Sequence, residues 1–73
     1  MPRILYRGEL NECLEYDGKG TSYNYIGRKE YEGEWRNGKY YGQGKKYEKD
    51  VIVYDGEWTH NNPNGKGSYY KKW

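Results

Sequence analysis

A chain of 73 residues with 11 Tyr, 3 Trp, 11 Gly and no Phe makes one small domain with a thin, aromatic core. One Cys and one His exclude an internal disulfide and a four-ligand zinc site, so packing, self-association or both must hold the fold. A net charge of +2 with the two signs interspersed excludes the basic stripe of a protein that binds a nucleic-acid polymer.

The first residues, Met1 to Tyr6, lack the apolar run of a signal peptide. No stretch of about 18 apolar residues follows anywhere. The expected location is therefore cytoplasmic, or peripheral at a membrane, and the lone Cys13 suits a reducing compartment. Only eight aliphatic residues are present (Ile4, Ile26, Ile52, Leu5, Leu10, Leu14, Val51 and Val53), so rings with a polar tip carry the apolar content. Such rings with abundant Gly point to an all-β fold rather than a helical one. Their density also separates the chain from disordered sequences.

In chain order, Tyr6-Arg7-Gly8-Glu9-Leu10 is followed by Gly18-Lys19-Gly20. Tyr31-Glu32-Gly33-Glu34-Trp35 is followed by Gly42-Gln43-Gly44, with Asn37-Gly38 between them. Tyr54-Asp55-Gly56-Glu57-Trp58 and Gly65-Lys66-Gly67 repeat the second set 23 residues later. Self-similarity at such a period is the mark of a repeat architecture. Each copy reads as a β-hairpin whose first strand alternates aromatic and charged residues. The Gly-x-Gly pair is expected to begin the return strand. Repeats are expected over about 6–30, 31–53 and 54–73. Asn61, Asn62, Pro63 and Asn64 predict a wider loop in the last of them.

Two registers fit the middle hairpin. A tight Asn37-Gly38 turn pairs Trp35 with Tyr40 and Gly33 with Gly42. A longer loop pairs Trp35 with Gly42 and Gly33 with Gly44. They differ by two residues, so both give the same faces. Tyr31, Gly33, Trp35, Tyr40, Gly42 and Gly44 share one face. Glu32, Glu34, Tyr41, Gln43, Lys45 and Tyr47 share the other, where Glu32–Lys45 and Glu57–Lys66 are expected to pair. In the last hairpin, Tyr54, Gly56, Trp58, Gly65, Gly67 and Tyr69 form the aromatic face. Gly beside Trp leaves room for an indole to lie on the sheet, and a Cβ on Gly33 or Gly56 is expected to push it off. Three hairpins then build a single twisted antiparallel sheet of about six strands.

The pattern Tyr-x-Gly-x-Trp-x-x-Gly-x-x-x-Gly-x-Gly resembles the MORN repeat (membrane occupation and recognition nexus). Tyr31, Gly33, Trp35, Gly38, Gly42 and Gly44 match it, and Tyr54, Gly56, Trp58, Gly65 and Gly67 match without the turn Gly. Tyr6, Gly8, Gly18 and Gly20 match with Leu10 at the Trp position. The resemblance implies an elongated solenoid of stacked hairpins. It implies no single function, because the family's repeats scaffold proteins, associate with anionic phospholipids and form homodimers.

Residues that could carry chemistry are few. Cys13 and His60 fall in turns of different hairpins with no acidic group at a telling spacing. The pairs Glu32/Glu34 and Asp55/Glu57 each sit on a solvated face. The Gly-x-Gly pairs open no helix and are explained by the repeat. No metal constellation is present, and no cofactor or enzyme activity is expected. Binding is the expected role, through Tyr40, Tyr41, Tyr47, Tyr69, Tyr70, Lys45 and Lys66. The expected partner is another protein or a second copy as a homodimer. The alternative is an anionic lipid headgroup, or a nucleotide or sugar stacked on the rings. Lys45, Lys46, Lys49, Lys66, Lys71 and Lys72 would then supply charge, with Tyr69, Tyr70 and Trp73 at the interface.

Overall fold

The computed structural model describes residues 5–70. These form β1 (Tyr6–Leu10), β2 (Tyr16–Tyr23), β3 (Lys29–Arg36), β4 (Lys39–Glu48), β5 (Val51–Thr59) and β6 (Asn62–Tyr69), with no helix among them. The strands lie in sequence order in one open antiparallel sheet, the meander that the repeat predicts.

Its centre is a row of glycines. Gly8, Gly20, Gly33, Gly44, Gly56 and Gly67 oppose one another across all six strands. Tyr6, Tyr31 and Tyr54 each lie over this row from two residues upstream. Their hydroxyls donate to the carbonyls of Glu9 (2.8 Å), Glu34 (2.8 Å) and Glu57 (3.0 Å). The space over the glycines therefore belongs to tyrosine and not, as expected, to the indole. A Cβ on Gly33 or Gly56 would collide with the backbone of the opposing strand at Gly44 or Gly67.

The register of the middle hairpin combines both expected alternatives. Trp35 pairs with Tyr40, as a tight turn requires, yet Gly33 pairs with Gly44. The two surplus residues of β4 are taken up by an irregularity, where Gly42 has φ of 65°. Left-handed backbone of this kind is open to Gly at little steric cost. The outer hairpins repeat the device with Gly18 (φ 73°) and Gly65 (φ 81°). A Cβ on Gly42 would point at the Glu34 carboxylate, so this glycine departs from the aromatic face assigned to it.

The return strands start earlier than expected, at Tyr16, Lys39 and Asn62, well before each Gly-x-Gly. The last turn is also tight. Thr59 pairs with Asn62, and His60 and Asn61 both take positive φ (49° and 71°), as in a two-residue hairpin turn. Pro63 fits because β6 is an edge strand, where its missing N–H breaks no ladder. Asn61 Oδ1 also accepts from Tyr40 N at 2.8 Å, tying this turn to the preceding hairpin. The two five-residue loops share one construction. Asn11 Oδ1 accepts from the amides of Cys13 and Glu15, and Asn24 Oδ1 from those of Ile26 and Arg28.

Candidate functional site

Rings fill one face of the sheet in a repeating order. Tyr6 stacks on Tyr16 with centroids 3.7 Å apart, and Tyr31 on Tyr40 at 3.9 Å. Trp35 stands edge-on between these pairs, 5.5 and 5.2 Å from the first and 5.0 Å from both rings of the second. Trp58 meets the second pair the same way at 5.4 and 5.1 Å, and Tyr54 at 5.0 Å. Each indole N–H reaches back to the preceding hairpin, from Trp35 to the Gly20 carbonyl (2.9 Å) and from Trp58 to the Gly44 carbonyl (3.0 Å). Edge-to-face contact and a satisfied N–H explain why Trp holds this position. In the last hairpin Pro63 stands where Tyr40 stands in the middle one, and Tyr54 has the tilted ring of Tyr69 at 4.6 Å in place of a parallel stacking partner.

Among the described residues Tyr31, Trp35, Tyr54 and Trp58 form the buried hydrophobic core, with Tyr6, Tyr16 and Tyr40 half-buried against it. The molecule measures 35 × 28 × 13 Å, the thickness of one layer. The described residues thus put no second layer over the aromatic face. A shallow depression on it is bordered by Tyr16, Ser22, Glu30, Trp35 and Tyr40.

The opposite face is polar. Glu32 stands across from Lys45, as expected, but its carboxylate is engaged by Lys29 Nζ (3.3 Å) and the Tyr47 hydroxyl (3.1 Å). Arg36 lies over the Tyr41 ring at 4.8 Å. Glu34 accepts from the Gln43 amide at 3.2 Å and so braces the irregularity at Gly42. Glu57 and Lys66 are not register partners, because the corresponding irregularity of β6 falls at that level.

The expected binding residues therefore divide between two faces. Tyr69 is 72% exposed on the aromatic face, while Tyr41, Tyr47 and Lys45 belong to the polar one. Tyr40 packs into the ring cluster, so its loss would cost stability as well as surface. Tyr70 is exposed with its amide bonded to the Val53 carbonyl, and Lys66 is exposed beside Gly65. Lys71, Lys72 and Trp73 lie outside the described residues. Sequence reasoning passed over Tyr16, Ser22 and Glu30. For Tyr16 a signal exists, since it precedes Gly18 by two residues as Tyr40 precedes Gly42.

Cys13 and His60 lie at the same end of the sheet, in the first and third hairpins. Four strand spacings of about 4.8 Å separate those hairpins. Among the described residues no group of His, Cys, Asp and Glu could hold a metal ion, and no helix is long and apolar enough to cross a membrane. Burial, then the Glu34 carboxylate, pushes the Tyr31 phenol well above its ordinary range, and burial raises Tyr6 and Tyr54 too. A phenol whose folded pKa is raised stays protonated while the unfolded chain ionises near pH ~10. The stabilisation is complete below that pH and is lost as pH rises toward the folded values. Thermal melts by circular dichroism should show the midpoint falling steadily above about pH 10. An unchanged midpoint well past that range would contradict the buried phenols.

A family model described as MORN repeat matches residues 31–47 and 54–73, just over half of the chain. No curated protein matches. No solved structure matches either.

Proposed function

We propose that this chain, which belongs to the MORN-repeat family, is a non-catalytic module that binds another polypeptide or its own second copy through the aromatic face of its sheet. The observation that carries this reading is the single-layer architecture. Among the described residues a 13 Å slab leaves half-buried Tyr16 and Tyr40 and exposed Tyr69 with no covering layer, where most domains pack two. A face of 35 × 28 Å can supply the roughly 800 Å² per partner of a standard interface. The β1–β2 hairpin is taken as a third, divergent repeat, because it shares the glycine row and the stacked tyrosines. An anionic ligand is less well supported on the polar face, since Lys45 stands between Glu32 and Asp55 and Lys29 is paired with Glu32.

Sedimentation velocity across micromolar concentrations tests the self-pairing form. The wild type should shift toward a dimer. Tyr69→Ser should raise the required concentration about tenfold, as the loss of one exposed interface ring would. Tyr41→Ser, on the other face, should not. Equal effects of the two variants would contradict the assignment of the face. A strictly monomeric wild type would leave only a different polypeptide as the occupant.

A further inference from the structure

Two equivalent positions on the aromatic face hold different residues. Ser22 stands between Tyr6 and Tyr31, and Lys46 between Tyr31 and Tyr54. Lys46 turns its ammonium over the Tyr40 ring, 5.2 Å from the centroid and 3.3 Å from the hydroxyl. Tyr16 is the counterpart of Tyr40, for each stacks on the leading tyrosine of its own hairpin. Ser22 is too short to do for Tyr16 what Lys46 does for Tyr40. Its residue is 7% exposed, and its hydroxyl has no hydrogen-bond partner among the described residues. The depression on this face opens at that place, bordered also by half-buried Glu30. Glu30 has no ion pair or hydrogen bond to its side chain among the described residues.

We infer that this depression is a subsite for a primary ammonium, the side chain of a lysine on a partner polypeptide lying across the aromatic face. The inference rests on the proposed polypeptide-binding role. The ammonium would sit against the Tyr16 ring as that of Lys46 sits against Tyr40, with the Ser22 hydroxyl accepting from it and Glu30 opposing its charge. Each group then gains what it lacks. A buried hydroxyl without a partner is costly, and a cation partly withdrawn from water over a ring is stabilised. An anion would face the Glu30 carboxylate. An aliphatic side chain would leave both polar groups unmet.

The test uses the full chain and two blocked pentapeptides, Gly-Gly-Lys-Gly-Gly and its norleucine counterpart, titrated by two-dimensional amide NMR. The lysine peptide should give saturable shifts at Ser22, Glu30 and Trp35 with a Kd on the order of millimolar. The norleucine peptide should bind at least about fivefold more weakly. Glu30→Gln should weaken lysine binding by a similar factor. Ser22→Lys should fill the site from within, abolishing the shifts while leaving the melting temperature equal to or above that of the wild type. Equal binding of both peptides, indifference to Glu30→Gln, or retained binding in a folded Ser22→Lys variant would each overturn the ammonium subsite. So would the absence of any shift with the lysine peptide. The broader binding role is judged separately by sedimentation, which involves no lysine peptide, so the two can fail independently.

Discussion

Trp58→Ala is expected to leave the chain largely unfolded. Trp58 is 5% exposed and contacts Tyr31, Tyr40 and Tyr54 edge-on. It is the ring that joins the middle hairpin to the last one, and its N–H satisfies the Gly44 carbonyl. Truncating a buried Trp costs about 3–5 kcal/mol. A single core in a domain of this size rarely supplies more than about 3–5 kcal/mol in all. The loss is therefore comparable to the whole stability. Trp58→Phe should be milder, since it keeps a ring and gives up the hydrogen bond, at a cost of about 1–3 kcal/mol. Urea denaturation followed by far-UV circular dichroism separates the three proteins. A Trp58→Ala midpoint near that of the wild type would mean that the ring cluster is surface decoration rather than the core.

Apart from Gly42, the faces of this sheet were legible because alternation has a period of two and the candidate registers differed by two. Which register holds was not legible. Gly42 serves equally well as a strand residue or as the left-handed residue of an irregularity, and the answer depends on where Tyr31 needs its gap. Asn61 and Pro63 were misleading for a related reason. A Pro in a strand argues against pairing unless the strand is an edge, and edges are a property of the assembled sheet. Tyr40 looked like free surface because the repeat pattern does not require it, yet the ring above Gly33 and Gly44 needs a stacking neighbour. The contrast between Ser22 and Lys46 emerges only once both are seen to stand beside Tyr31, one on each adjoining strand.

Replacing Gly44 by Ala should approach the damage of losing the indole, although it adds a single methyl group. Gly44 is buried, and its backbone lies beneath the ring of Tyr31, so a Cβ would overlap that ring and its hydroxyl. Tyr31 has nowhere to go. It is fully buried, stacked on Tyr40, flanked by Trp35 and Trp58, and held at its tip by the Glu34 carbonyl. Overpacking of a closed core costs about 1–3 kcal/mol, occasionally more. Displacing Tyr31 would also disturb both indoles, which places the expected loss at the upper end. Gly38 is the control. It has φ of 80° with open space where a Cβ would be built, so Gly38→Ala pays only for the left-handed backbone, about 1–2 kcal/mol. Denaturation midpoints should therefore rank wild type above Gly38→Ala, and Gly38→Ala well above Gly44→Ala. The reverse order would show that these glycines are required for backbone freedom alone, and that the tyrosine ring does not need the cleared strip on which it lies.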